Sequence, residues 1–341
     1  MPVDANSASP EFWARYHAFR RARHLERRPE DPIVPDEAEE ARMKRPHEFE
    51  IQYRYELARD GHMLSSFFCS TAKPGVPGYA TNRHLMGADW EVAREHRRRR
   101  IGASWLPLVL ELMERHGCTT LTLDTYEESG RAFLEWLGAE KKFDDRESRL
   151  QLGEVDWEMV ARWIEEGAAR NPDTRLEIYD GRIPQAMWED YTKQLSRVLN
   201  TVPMENLDHG EVVITPAMMA EWYDGSEAAG DTVHLVLTRE PDGSISALTD
   251  VKWPAHTPDV VWQQFTGVTP EARGRGLGKW IKAAMLEHVH RLHPEALWVS
   301  TNNAGSNAAM LGINTALGFR LHRWGAAYQI SRDDLARKIS R

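Results

Sequence analysis

Apolar residues recur at helical spacing about one third of the way along the chain. They share one face of a helix over residues 105–116: Trp105, Leu108, Val109 and Met113. Gly117 marks the end of this helix, and the β-branched run 119–123 predicts a strand. A second helix is predicted over 129–137, before Gly138, and a strand over 148–152. This half therefore alternates helices and strands.

The same order of segments returns downstream. The pattern predicts strands over 233–238, 245–251 and 260–268, a helix over 279–292, a strand over 296–301, a helix over 306–317 and a last strand over 328–330. Near the N-terminus it predicts a helix over 11–28 and a hairpin of 48–57 with 63–70. Gly102 and Gly278, each before a helix, lie 176 residues apart, and Gly138 and Gly318, each after a helix, lie 180 apart. These offsets predict a duplicated domain with a boundary near Gly153, giving lobes 1–153 and 154–341.

Composition narrows the class of protein. The 341 residues are 41% hydrophobic and 28% charged, with a net charge of -9 at pH 7, which disfavours a dedicated nucleic-acid binder. No long apolar run and no secretory signal are evident, and the two cysteines cannot form a disulfide framework. We therefore expect a cytoplasmic protein without a nucleic-acid or membrane partner. The histidines show no metal-ligand spacing, and His288 and His290 cannot face the same way on a helix, so no metal is expected.

A glycine-rich loop carries the chemistry. Residues Arg273, Gly274, Arg275, Gly276, Leu277, Gly278 and Lys279 follow an apolar strand and open an amphipathic helix. Glycines let a backbone approach a ligand closely, and a helix N-terminus offers free N–H groups to phosphate oxygens. The Walker pattern fails because Arg273 replaces its first glycine, and the dinucleotide pattern fails because its third glycine is missing. The remaining pattern is Arg-x-x-Gly-x-Gly.

That pattern resembles the coenzyme A loop of the GNAT superfamily of N-acetyltransferases. A second landmark resembles the same family: the strand and helix of 298–310 continue to Ile313 and end in Leu317-Gly318-Phe319. The resemblance covers residues 174–341, and the paired arrangement is similar to tandem members such as mycothiol synthase. It implies an α/β (α+β) fold of two tandem lobes, each a mixed, mostly antiparallel sheet flanked by helices.

The resemblance also implies acetyl-CoA as the acyl donor and a set of cofactor-binding residues. The glycine-rich loop is expected to hold the pyrophosphate. The backbone of Thr266, Gly267 and Val268 is expected to pair with the pantetheine arm, and Asn303 and Asn307 are expected to lie near its amides or the thioester. The two asparagines could equally well cap the next helix instead of contacting the cofactor, and Ser306 is an alternative cap.

The implied reaction moves an acetyl group to a primary amine of a small molecule by direct attack in a ternary complex. The strand before the loop carries Gln263 and Gln264 where some relatives place a glutamate. The candidate general bases are Asp250, Glu205, Asp259 and His256. Tyr328 is the candidate general acid, and the backbone N–H of Val268 is the candidate oxyanion donor. The alternative is a non-catalytic coenzyme A-binding or regulatory protein with decayed lobes.

The N-terminal lobe departs from the pattern. Its loop reads Arg97-Arg98-Arg99-Arg100-Ile101-Gly102, so that Arg100 stands where the family has its first glycine. A side chain there obstructs close approach of the backbone to pyrophosphate. We therefore predict one coenzyme A per chain, bound by the C-terminal lobe.

Overall fold

The computed structural model describes residues 1–340, which form two compact units. Unit 1 contains Met1–Phe143, Asn206–Glu211 and the segment from Gly325 onward, whereas unit 2 contains Asp144–Glu205 and Val212–Trp324. Within the described residues, no helix has the length and apolar character needed to cross a membrane. The predicted division into lobes 1–153 and 154–341 stays a prediction.

The elements of the first half, in chain order, are α1 (Pro10–Arg27), α2 (Asp36–Lys44), β1 (Glu50–Arg59), β2 (His62–Ala72), α3 (Tyr79–Asn82), β3 (Leu85–Val92), α4 (Ile101–Ser104), α5 (Leu106–His116), β4 (Thr120–Thr125), α6 (Glu128–Leu137) and β5 (Glu140–Gln151). Those of the second half are α7 (Trp157–Arg170), β6 (Arg175–Asp180), α8 (Trp188–Leu199), α9 (Pro216–Ala228), β7 (Thr232–Arg239), β8 (Ile245–Trp253), β9 (Val260–Val268), α10 (Leu277–Leu292), β10 (Trp298–Ala304), α11 (Ala308–Leu317), β11 (Arg320–Ser331) and α12 (Arg332–Ile339).

The sheet of unit 1 is mixed and mostly antiparallel. Strand β2 pairs antiparallel with β1 and β3, β3 pairs parallel with β4, and β4 pairs antiparallel with the end of β11. Its core includes Phe67, Met86, Leu121 and Tyr328, each at most 3% exposed. The last strand of the chain therefore completes the sheet of the first unit.

The sheet of unit 2 has the same plan. Its strand order is β5-β10-β9-β8-β7-β6, in which only the β9–β10 pair is parallel. Helices α7 and α10 cover one face and α8 and α9 the other, around two separate apolar clusters. Because full burial of a large aliphatic side chain stabilises by about 1.5–3 kcal/mol, Ile281 and Met285 of α10 contribute strongly to this core. Two units of this kind confirm the predicted fold class.

Most predicted elements are present, and several others went unpredicted. The structure extends the predicted strand 148–152 to Glu140–Gln151 and the strand 328–330 to Arg320–Ser331. Strands β3 and β6 and helices α2, α8, α9 and α12 did not stand out in the sequence. Strand β3 reads Leu-Met-Gly-Ala-Asp-Trp-Glu-Val, without the β-branched run that marks a typical strand.

Candidate functional site

The parallel pair of unit 2 opens into a cleft. Strand β9 pairs with β10 over only four residues, from Val260 to Gln263, and then continues to Val268 without that partner. On its other edge it remains paired with β8, and Thr269 N–H donates to Ser246 O at 2.9 Å. Because backbone groups alternate along a strand, Thr266 and Val268 turn theirs toward the open side. This is where the predicted pantetheine site requires free N–H and C=O groups.

Gly267 has a packing role beside these residues. A Cβ there would lie 2.2 Å from Cγ1 of Val198 on α8 and 2.8 Å from the ring of Phe265. The absent side chain therefore allows α8 to approach β9 closely.

A β-bulge in β9 lies next to a buried carboxyl. Asp250 of β8 pairs with Phe265 while Val251 pairs with Gln263, so Gln264 is the extra residue. The side chain of Gln263 is occupied, since its Nε2 donates to Thr249 Oγ1 at 3.0 Å and to Asp250 O at 2.7 Å.

Asp250 has the chemical properties of an acid–base group. It is 9% exposed, and burial raises the pKa of its carboxyl to about 7, against the opposing effect of nearby backbone N–H groups. Two buried tyrosines, Tyr191 of α8 and Tyr223 of α9, interact electrostatically with it. Burial raises the pKa of Tyr191 well above 10, so its phenol stays a proton donor. Sequence reasoning missed Tyr191, because it lies in a helix that the pattern did not reveal.

The glycine-rich loop has the geometry of an anion site. Gly274 and Gly276 have φ values of +81° and +82°, a region that favours glycine. Gly276 precedes the first residue of α10, and no side chain caps that helix start. A Cβ on Gly276 would lie 3.1 Å from Nη1 of Arg170, so this arginine at the end of α7 adds positive charge beside the loop. Sequence reasoning missed Arg170 because it lies more than a hundred residues upstream.

The basic side chains of the loop differ in their contacts. Arg275 donates to Asn171 Oδ1 at 3.0 Å, to Thr174 Oγ1 at 2.7 Å and to Glu240 Oε1 at 2.9 Å, which holds the loop in place. Arg273 donates to Thr201 Oγ1 at 2.8 Å and is exposed. Exposed Lys279 lies 4.9 Å from the ring centre of Trp163. Arg273 and Lys279 are therefore accessible to an anionic ligand.

Polar residues at the end of β10 and at the start of α11 make local hydrogen bonds. Asn307 Oδ1 accepts from Met310 N–H at 3.2 Å and caps α11, and Asn303 Oδ1 accepts from Asn314 Nδ2 at 2.7 Å. Glu205 accepts the N–H groups of Asp144 at 3.0 Å and Ser306 at 3.2 Å. The capping role expected for Asn307 is thus present, and cofactor contact by both asparagines stays a prediction.

The other acid–base candidates lie elsewhere. Tyr328 is 3% exposed in the core of unit 1, where it pairs with Leu123 of β4. His256 and Asp259 precede β9, so they lie at the opposite end of that strand from the loop. Of these candidates, only Asp250 lies beside the β9 bulge.

Unit 1 repeats the loop conformation with arginines in place of glycines. Arg98 and Arg100 have φ values of 61° and 65°, and they lie 176 residues before Gly274 and Gly276. Strand β3 likewise pairs with β4 over four residues, from Leu85 to Ala88, and then continues to Val92 with β2 as its partner but without β4.

An ion cluster lies along the part of β3 that extends beyond its pairing with β4. Arg23 of α1 is 5% exposed and forms ion pairs with Glu26, Glu91 and Glu127. Arg97 Nε donates to the carbonyl of Val92, the last residue of β3, at 3.2 Å. The side chain of Arg97 thus already occupies the backbone carbonyl that corresponds to Val268 on the open edge of β9.

No protein-family model and no curated protein matches the sequence. The structure is similar to a tandem GNAT protein from the clavulanic acid biosynthesis pathway, with a TM-score of 0.74, 19% identity and coverage of 97% of this chain and 98% of that chain. It is also similar to a GCN5-related N-acetyltransferase from Sphaerobacter thermophilus, with a TM-score of 0.63, 13% identity and coverage of 97% and 94%. The chain therefore has the tandem GNAT fold.

Proposed function

We propose that the chain transfers an acetyl group from acetyl-CoA to a primary amine of a small molecule. The observation that carries the proposal is the loop of residues 273–278, whose left-handed glycines present an uncapped helix start beyond the open edge of β9. Such a helix start binds phosphate oxygens through N–H groups and the helix dipole. An extended thioester arm from that point can pair with the backbone of Thr266 and Val268.

The proposed reaction is a direct displacement. The amine nitrogen attacks the thioester carbonyl carbon, the C–S bond breaks, and the amide and free coenzyme A thiol leave. The N–H of Val268 stabilises the developing oxyanion. Asp250 accepts the proton of the amine, directly or through water, because a group with a pKa near 7 is suited to general base catalysis at neutral pH.

The group that protonates the thiolate is a further part of the proposal. Tyr328 was the sequence candidate for the acid, and Tyr191 is a second candidate because its buried phenol interacts with Asp250. Glu205 is a weaker base candidate, since both carboxylate oxygens already accept backbone N–H groups.

A non-catalytic coenzyme A-binding protein is the second candidate function. It is favoured by Gln263, which stands where some relatives place a glutamate and whose amide is already held in hydrogen bonds. An amine library incubated with acetyl-CoA and the full chain separates the two, with release of free thiol as the readout. Turnover with at least one primary amine, lost in Asp250→Asn, supports the enzyme. Acetyl-CoA binding without turnover of any amine supports the binding protein, and absence of binding contradicts both.

A further inference from the structure

Four titratable side chains from separate elements meet at the end of α10 in unit 2. Asp180 ends β6, His234 lies in β7, His288 lies in the last turns of α10, and His293 follows that helix. Asp180 Oδ1 lies 2.5 Å from His234 Nδ1 and 2.7 Å from His288 Nε2. His234 Nε2 lies 2.7 Å from His293 Nε2. None of these groups belongs to the proposed acyl-transfer site.

The cluster is buried at its histidines and open to solvent at its carboxylate. His234 and His288 are 1% and 6% exposed, whereas the side chain of Asp180 is 53% exposed. The indole of Trp253 stacks on His293 with ring centres 4.0 Å apart. Two fixed imidazoles thus face a carboxylate that solvent can reach.

We propose that Asp180, His234 and His288 bind a divalent transition-metal ion, with Zn²⁺ as the best match. One ligand atom from each residue lies within 4.8 Å of the other two. Two imidazole nitrogens and a carboxylate oxygen are ligands that Zn²⁺ prefers, and a tetrahedral site of this kind leaves the fourth position for water. The C-terminal end of α10 carries negative dipole charge, which favours a cation there.

Small movements convert the hydrogen-bonded cluster into a metal site. Zinc bonds of about 2.0–2.2 Å in a tetrahedron separate ligand atoms by about 3.4 Å, so Asp180 Oδ1 must withdraw by less than about 1 Å from each imidazole. The two imidazole nitrogens, which lie within 4.8 Å of each other, must reach the same separation. Asp180 is the exposed ligand and is free to make that movement.

One surrounding hydrogen bond fits a metal-bound arrangement, and one must be released. When His234 binds through Nδ1, its Nε2 carries hydrogen and donates to His293 Nε2, the type of outer-shell contact that orients metal-bound histidines. When His288 binds through Nε2, its Nδ1 carries hydrogen, so Arg291 Nη2, now 3.1 Å away, must turn aside. Arg291 is exposed and can do so.

The position of the cluster assigns the ion a structural role. His288 lies eleven residues after the first residue of α10, about 16 Å along the helix from the glycine-rich loop. An ion there joins β6, the edge strand of unit 2, to β7 and α10. Its effect is therefore on stability rather than on acyl transfer.

The test is a Zn²⁺ titration of the chelator-treated full chain, followed by metal analysis after removal of loosely bound ion. We expect one Zn²⁺ per chain and a higher melting temperature in its presence. Asp180→Asn and His288→Gln should each weaken binding at least about 10-fold. Co²⁺ in place of Zn²⁺ should give the visible absorption of a four-coordinate site.

His290→Gln is the matched control, because His290 lies on the same helix, is exposed and stacks on Trp157 away from the cluster. It should bind Zn²⁺ like the unmodified chain. Absence of binding by the unmodified chain, or equal binding by Asp180→Asn, His288→Gln and the control, would overturn the proposal and leave the cluster as a hydrogen-bonded network only. The result is independent of acetyl-CoA binding and turnover.

Discussion

At the scale of single residues, Gly276 determines whether the loop can hold a pyrophosphate. Gly276 has a φ of +82°, and a Cβ added there would lie 3.1 Å from Nη1 of Arg170, so the position leaves room for a ligand only while a side chain is absent. Arg100 adopts the same backbone region in unit 1, so the conformation itself tolerates arginine. The obstruction of the ligand, more than strain, is therefore the expected effect of a substitution.

Gly276→Arg should abolish acetyl-CoA binding and leave the chain folded. A ligand present at 100 times its Kd stabilises the native state by about 2.7 kcal/mol, so the unmodified chain should melt at a higher temperature with acetyl-CoA. The variant should show no such increase. Gly243→Arg is the control, because Gly243 has a φ of +87° and free space in a hairpin turn. A normal ligand-induced shift in Gly276→Arg means that the loop assignment is wrong.

Asp250→Asn should reduce activity while raising stability at alkaline pH. The folded pKa of about 7 exceeds the ordinary value of 3.8, so the folded state binds an extra proton between these values and loses stability as the pH rises through them. Asparagine removes this penalty, which amounts to at most about 4 kcal/mol above pH 7. Loss of general base catalysis should slow turnover about 10²–10⁴-fold.

Two measurements check the Asp250 prediction. The pH profile of kcat/KM for the unmodified chain should rise with an apparent pKa near 7, and urea unfolding at pH 8 should show the variant to be more stable. Unchanged turnover in Asp250→Asn removes Asp250 from the mechanism. A variant that is less stable at pH 8 contradicts its buried, proton-binding state.

At the scale of elements, the packing of α7 on α10 depends on a glycine. A Cβ on Gly167 of α7 would lie 2.3 Å from Cγ of Trp280, whereas a Cβ on Gly312 of α11 meets nothing within 4 Å. Gly167→Ala should destabilise the chain by about 1–3 kcal/mol through overpacking. Gly312→Ala should stabilise it by up to about 1 kcal/mol through helix propensity. Urea midpoints of the two variants should therefore move in opposite directions; a shared direction contradicts this account of α7.

Sequence patterns predicted the elements that have a strong hydrophobic period. They missed the elements whose structure depends on pairing or packing with distant parts of the chain. The helix 279–292 and the strand 260–268 agree closely with α10 and β9. Strand β3 was missed because Gly87, Asp89 and Glu91 dilute its strand pattern, and its neighbours supply the pairing. The His234 and His288 cluster was missed for the same reason, since its members lie on three elements far apart in sequence.

Candidate site residues divide in a similar way. The loop was predictable because its glycines are contiguous and their spacing expresses the backbone conformation directly. Arg170 and Tyr191 were not, because only the folded chain brings them beside Gly276 and Asp250. The acidity of Asp250 likewise depends on burial, which no local pattern records.

At the scale of the whole molecule, the two units share a plan and differ in the open edge of one strand. In unit 2 the free edge of β9 is followed by the glycine loop. In unit 1 the ion cluster around Arg23 lies along β3, and the loop after that strand carries arginines. The sequence predicted the degenerate loop from Arg100. It could not predict that α1 contributes Arg23 to this cluster.

Calorimetric titration of the full chain with acetyl-CoA at moderate salt tests the central claim most directly. We predict one bound molecule per chain, because only unit 2 combines an open strand edge with a glycine loop. Arg97→Ala/Arg99→Ala should leave this stoichiometry unchanged, since Arg97 is engaged by the carbonyl of Val92 and exposed Arg99 gives only screened attraction. Absence of binding would contradict the account. So would a stoichiometry near two whose second site is lost in the double variant.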